Sequence, residues 1–446
     1  MANQRIVPGD SMMMKRLILF SACMVALGGA SLYSQLPPVL TLKQAEQTAL
    51  KNHPAVLAAR YNAQASNQVV REVRSNYFPT VSADVTGSVA DHNSRIGAGY
   101  LTDSRLLNRF GQGITVSQLI TDLGRTKNLV ASSRLDARAA SESSEATRYD
   151  VLLAVDQAYF EVLRSGALLK VATETVTERQ TVMDQVSAMV QNKLKSNLDL
   201  SFANVNLAQA KLLQIQAQNG LTMAIADLAH AMGSSSPQSY TLAKVQLPLA
   251  PPASAQSLVT EALQNRPEIM GLRFRQNAAI KFQRAERDLA LPTLSAVGVA
   301  GYIPAIEQVS LPHIVPDHYE GAALNLEVPV FNGHLFAARR EAAKLEADAA
   351  GEDLTNEQEI VARDVRVAWA NASTAYQRIG VTATLLAESR QALSLAQGRY
   401  NLGLGSIVEL SQAQLNETQA EIQAVDARYD FQSQNALLQY QIGLLR

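Results

Sequence analysis

One stretch of this chain is written twice. Ala49-Leu-Lys-Asn-His-Pro54 returns as Ala262-Leu-Gln-Asn-Arg-Pro267. The same separation aligns Arg60 with Arg273, Arg71 with Arg284, Pro79-Thr80 with Pro292-Thr293, and Ser82 with Ser295. Further on, at a slightly shorter separation, Val151 meets Val361, Val155 meets Val365, Ala158 meets Ala368, Tyr159 meets Trp369 and Gly233 meets Gly443, with no gap from about Ala139 to Gly233. Two copies make a tandem duplication and not a solenoid, which requires three or more units to bury its core. Any fold for this chain therefore has to be built from two similar halves.

Each half reads as helix, two strands, long helix, tip and shorter helix. Repeat 1 spans 31–233. It has a helix over Thr41–Asn76, ended by Pro79, strands over Thr80–Ala90 and Arg109–Ile120, a long helix over Arg125–Gln191 and a helix over Asn197–Met232. Repeat 2 spans 254–446, with a helix over Ser254–Leu289, strands over Thr293–Tyr302 and Tyr319–Val330, a long helix over His334–Tyr400 and a helix over 407–443. A Ser- and Pro-rich linker, Ser234–Ala253, joins them, and Asp91–Asn108 reads as an exposed loop between strands.

The strands alternate. Val81, Ala83, Val85, Gly87 and Val89 face one way, and Ser82, Asp84, Thr86 and Ser88 the other. Ile114, Val116 and Ile120 alternate with Thr115 and Ser117, and Ala322, Leu324, Leu326 and Val328 with Gly321, Ala323, Asn325 and Glu327. A period of two over about 10 residues fits tilted strands of a membrane barrel. Taken alone, the strands favour a soluble antiparallel sheet with one buried face.

The long helices add length. Each would reach about 100 Å at ~1.5 Å per residue. Their apolar stripes advance by alternating steps of four and three, through Val151, Val155, Ala158 and Val162 in one and Val361, Val365, Ala368 and Ala372 in the other. That period implies left-handed supercoiling. Aromatic residues are only 5% of the chain, so the stripes are Ala-rich and each helix needs close neighbours on both sides. Two of the shorter helices stacked end to end match one long one, which suggests a cylinder wall of equal-length elements.

The remaining bounds are quickly drawn. With 39 Lys+Arg against 40 Asp+Glu, nothing argues for nucleic-acid binding. Lys15 and Arg16, the apolar run Leu17–Gly28 and Gly29-Ala30-Ser31 read as a signal peptide over 1–30, cleaved after Ala30, with Met1–Ser11 as an upstream extension before a start at one of Met12–Met14. The single cysteine, Cys23, offers lipidation as a second option, although Phe20-Ser21-Ala22 matches a Leu-led lipobox poorly. No other run is apolar for the ~20 residues of a spanning helix, so a membrane crossing would have to use strands. Four strands cannot close a barrel, since about eight is the practical minimum. They would have to be pooled between subunits, and three copies would give twelve.

The chain resembles the TolC family of outer membrane efflux proteins. The resemblance rests on Leu40-Thr-Leu-Lys-Gln-Ala45 followed by Ala49–Pro54, on Phe78-Pro79 and Leu291-Pro292 at the strand entrances, on Pro329-Val-Phe-Asn-Gly333, and on Arg399-Tyr-Asn-Leu-Gly-Leu-Gly-Ser406. It covers about Leu40 to Arg446. It implies a mainly α protein with a β-barrel portion: a homotrimer with a 12-stranded barrel among outer membrane lipids and a periplasmic α-helical tunnel. It also implies a periplasmic adaptor (membrane fusion protein) and an inner-membrane pump of RND, MFS or ABC type as partners. The expected function is a passive exit duct for tripartite efflux or type I secretion, with no cofactor and no catalysis. The alternative is a periplasmic coiled-coil adaptor or scaffold without a membrane barrel.

The resemblance also implies site residues, all at the two tips. Glu409 sits at an acidic constriction position, with Asp199 as its partner by repeat, and a threefold ring of Glu409 would attract cations. A solvated carboxylate at a helix start would look the same in sequence. The next acidic position of the family is Gln412 here, and an arginine that locks some members shut is Gly405, while Tyr400 matches a lock-associated tyrosine. Leu194, Ser196, Leu402, Gly403, Leu404 and Ser406 are the expected adaptor-contacting tip residues. His313 and His318 flank Asp317 in a Pro-containing segment that reads as an exposed loop and not a metal site.

Overall fold

Proline decides where the shorter helices break. A computed structural model describes residues 39–89, 95–96, 104–105, 109–234, 240–303 and 317–445, all within one unit, Val39–Arg446. The signal-peptide reading, Cys23, residues 235–239 of the linker and His313 lie outside the described residues. In chain order the elements are β1 (Val39–Leu40), α1 (Leu42–Asn52), α2 (Pro54–Ser75), β2 (Thr80–Ser88), β3 (Arg95–Ile96), β4 (Ser104–Arg105), β5 (Arg109–Thr121), α3 (Arg125–Gln191) and α4 (Asn197–Ala231). There follow β6 (Thr241–Leu242), α5 (Gln256–Asn265), α6 (Pro267–Asp288), β7 (Thr293–Tyr302), β8 (His318–Glu327), α7 (Leu335–Asn401) and α8 (Ile407–Gln441).

The sequence pattern reads a single helix over Thr41–Asn76 and another over Ser254–Leu289. Each is two helices in the structure, parted at His53 and at Arg266, where the backbone is extended just before Pro54 and Pro267. The residue before proline is pushed out of the helical region, and proline itself is at home in a first helical turn. The two breaks receive the two ends of the repeats. Gly233, at φ 74°, and Gly443, at φ 75°, press against His53 and Asn265, and a Cβ on Gly233 would stand 2.7 Å from the His53 Cα.

The long helices α3 and α7 are each 67 residues, and α4 and α8 are each 35. The four-three stripe is where burial lies: Val151, Val155, Val162, Ala172 and Val186 on α3, and Val361, Val365, Ala368, Ala372 and Ala396 on α7. α3 packs on α4 and α8, and α7 on α8, so the two hairpins lie side by side. The largest core cluster joins α1, α3 and α4 around Tyr159 and Leu228. The Tyr159 hydroxyl lies 2.9 Å from the Leu40 carbonyl and 2.7 Å from that of Ala243, tying down the parallel β1–β6 ladder. Its repeat counterpart, Trp369, donates from Nε1 to the Pro252 carbonyl at 2.8 Å. The two equivalent aromatics thus fasten two ends of the inter-repeat segment.

β2, β5, β7 and β8 form one antiparallel sheet in that order, with a bulge between Leu119 and Thr121. The register sets Val81 beside Val116 and Gly298, and Ala296 beside Leu324, on one face. Thr80, Ser82 and Asp84 share the opposite face with Ser117, Thr115 and Gly113. Among the described residues, both outer strands, β2 and β8, have a free edge. No described helix is long and apolar enough to cross a membrane.

Candidate gate at the hairpin tips

Each hairpin turns in five residues, and the two turns are the same turn. Lys193 at φ 60° and Gly403 at φ 73° hold equivalent left-handed positions. Such a backbone is costly for a residue with a Cβ, and repeat 1 bears that cost with lysine. Ser196 and Ser406 then cap α4 and α8, each side chain accepting from the backbone amide three residues on, at 3.2 Å.

The paired acids differ beyond that point. Asp199 bends back into a capping box, where its Oδ2 accepts from the Ser196 amide at 2.9 Å and from the Ser196 hydroxyl at 2.6 Å. The hydroxyl bond holds its pKa below the usual carboxylate value, helped by the Ser196 amide and Lys195. Glu409 instead reaches across the tip to Arg399, with Oε1 3.1 Å from Nε. Arg399 also donates to the Leu404 carbonyl at 3.2 Å. Sequence reasoning treated Glu409 as a lone carboxylate. In the structure its charge is already shared with a cation one helix earlier. A Cβ on Gly405 would lie 3.2 Å from the Arg399 Cβ and 3.3 Å from Glu409 Oε2, so the absence of a side chain there leaves room for this pair.

Tyr400 is buried, with Val186, Ala203, Ile407 and Leu410 around it, so one cluster draws on all four hairpin helices. Lys195 from the first tip stands 4.0 Å from the Tyr400 ring centroid and links the two hairpins. Burial, and then the charge of Asp199, raise the Tyr400 pKa. Gln412 is exposed and donates to Asn416 at 2.9 Å, away from these contacts. Leu194, Leu402 and Leu404 project into solvent.

Higher up the bundle lies a charged cluster that sequence reasoning missed. Arg179, only 5% exposed, donates to the Gln414 carbonyl and the Thr418 hydroxyl, both at 2.9 Å, and so bonds α3 to α8. Arg390 of α7 pairs with Glu417 at 3.7 Å and with Glu421. Burial, reinforced by the nearby charges of Glu421 and Glu178, pushes Glu417 up to about 7. The available signal was Arg179 itself, an arginine standing in an apolar heptad stripe. Asp317 and His318 lie 3.5 Å apart, and no group of described residues could hold a metal ion.

These features sit in a chain whose residues 46–234 and 258–444 match the family described as outer membrane efflux protein, one segment per repeat. The chain belongs to the outer membrane efflux protein family. It is similar to protein CyaE of Bordetella pertussis, at 25% identity over 84% of this chain and 78% of that one. It is similar to outer membrane protein TolC of Salmonella enteritidis, at 21% identity over 93% and 84%. Its fold is that of the Neisseria gonorrhoeae MtrE outer membrane channel, with a TM-score of 0.75 at 19% identity, covering 90% of this chain and 89% of that one. As an outer membrane efflux protein it is a transport protein and not an enzyme. It is a protein of the cell outer membrane with a long periplasmic portion. That membership removes the reading as a periplasmic scaffold without a barrel.

Proposed function

We propose that this outer membrane efflux protein is a passive exit duct. It works as a homotrimer, and a periplasmic adaptor and an inner-membrane pump of RND, MFS or ABC type deliver its cargo. The observation that carries this reading is the open four-stranded sheet. In a bilayer an unpaired strand edge has no water to satisfy it, so β8 of one copy has to pair with β2 of the next, and three copies close a barrel of twelve strands. The helices favour the same assembly. Leu198, Val205 and Leu212 on α4, and Val367, Val381 and Leu395 on α7, are exposed at heptad spacing, and adjoining copies would cover them.

The tips supply the gate. Tyr400 with Lys195 ties the two hairpins together, Glu409 with Arg399 fastens the second tip, and an adaptor docking on Leu194, Ser196, Leu402, Gly403, Leu404 and Ser406 would spread them. The pore constriction is then a ring of Glu409–Arg399 pairs, with Asp199 and Gln412 at its margin. Fractionation of expressing cells, followed by electrophoresis without boiling, tests the assembly. Heat-resistant trimers in the outer membrane fraction are expected, and a soluble periplasmic monomer would overturn the proposal.

A further inference from the structure

Where the four helices meet the sheet, the chain carries cations that no acid among the described residues pairs with. The register places all four junctions at one end of the sheet, with Thr80 opposite Ser117, Leu294 opposite Thr121 and Thr293 opposite Glu327. Within the adjoining turns, Arg71, Arg74, Lys127, Arg284 and Arg340 are all exposed and none makes an ion pair among the described residues. Three acids of the same turns are spent inside. Asp122 caps α3 by accepting from the Thr126 amide at 2.6 Å. Glu286 is buried against Arg339 at 2.7 Å, and Asp288 is buried against Arg287 at 3.0 Å. Glu72, Glu327 and Glu341 are the exposed acids of this zone, the last of them paired with Lys344 at 3.4 Å, so the five unpaired cations still outnumber them.

Just toward the sheet from these cations stand Tyr77, Phe78, Leu291 and Phe331, all exposed. Aromatic and apolar side chains with arginine and lysine immediately beyond them match the order of a bilayer interface, rings at headgroup level and cations against phosphate. The depth also fits. Arg74 and Lys127 stand six residues along the chain from the strand ends, roughly 10 Å at helical rise, comparable with a headgroup layer outside a ~30 Å hydrocarbon core, and Arg71, Arg284 and Arg340 stand farther along their helices.

We infer that Arg71, Arg74, Lys127, Arg284 and Arg340 form a collar that binds the phosphate headgroups of anionic phospholipids in the periplasmic leaflet. The inference rests on the sheet spanning the outer membrane. It commits to phospholipid because the collar lies on the helix side, whereas lipid A faces the other surface. Each cation near a charged surface contributes about fivefold in lipid preference, and the effect weakens with salt.

The test is extraction from outer membranes in lipid-bearing polymer discs, with the retained phosphatidylglycerol, cardiolipin and lipid A counted per trimer. The protein is compared with a variant carrying Arg71→Gln, Arg74→Gln, Lys127→Gln, Arg284→Gln and Arg340→Gln, and with one carrying Arg74→Lys and Arg340→Lys. The collar predicts at least about a tenfold loss of anionic phospholipid enrichment in the glutamine variant, full retention in the lysine variant and unchanged lipid A. Equal phospholipid retention in all three proteins, or loss of lipid A instead, would overturn it. Failure to find any trimer in the outer membrane is a different result. It is seen before lipids are counted, and it would count against the duct itself.

Discussion

Arg399 and Glu409 stand on opposite sides of the second tip, and they meet because Gly403 turns the chain and Gly405 leaves space between them. The position of Glu409 could be read from the repeat of the two tips, but its partner could not. Their contact depends on the shape of the turn, which sequence spacing does not encode. Both side chains are half exposed, so the pair is worth only about 0.2–1 kcal/mol, suited to a gate that opens and closes. Arg399→Ala and Glu409→Ala should each raise open probability in planar bilayers, with a double-mutant coupling in that range, and Glu409→Ala should also weaken cation block. Unchanged single-channel behaviour in both would count against the gate. Two glycines make a paired prediction. Gly403→Lys reproduces what Lys193 already does, and should cost no more than ~1 kcal/mol. Gly233→Ala has to move the His53 backbone as well as adopt φ 74°, and should cost more than ~2 kcal/mol. Thermal unfolding of the two variants side by side measures the difference.

At the scale of elements, most of the architecture was legible. The duplication, the alternating strands and the four-three stripes all lie in the fold close to where the pattern puts them. The breaks at Pro54 and Pro267 were less visible, because the helical pattern resumes in the same phase beyond each proline. The polar layer across α3, α7 and α8 was hidden for another reason: its members come from helices brought together only by packing. Repeat 1 has Leu207 where repeat 2 has Glu417, so the duplication supplies no second copy of the layer. Glu417 has a pKa raised above that of an unfolded chain. Its contribution to stability is therefore present at low pH and lost as pH rises through about 7. Discounted for partial exposure, the loss is of the order of 1 kcal/mol per chain. Between about pH 4.5 and pH 7 the melting temperature should fall further for the native chain than for Glu417→Gln. Parallel pH profiles would contradict this.

For the whole molecule, the free edges of β2 and β8 and the exposed stripes of α4 and α7 require partners, and a second and third copy supply them without a new kind of surface. The proposed trimer follows in the sequence from counting strands. The collar of cations escaped it because its members come from four separate helix ends that only the fold gathers. Cysteines placed in scanning pairs along β2 and β8 should cross-link between chains and give a ladder ending at three. The most direct test is single-channel current from the purified native protein in a planar bilayer. A closed-end duct predicts discrete steps of small, cation-preferring conductance that grow severalfold when Arg399→Ala and Glu409→Ala are combined. A protein that inserts as a trimer yet passes no current in either form would contradict the duct.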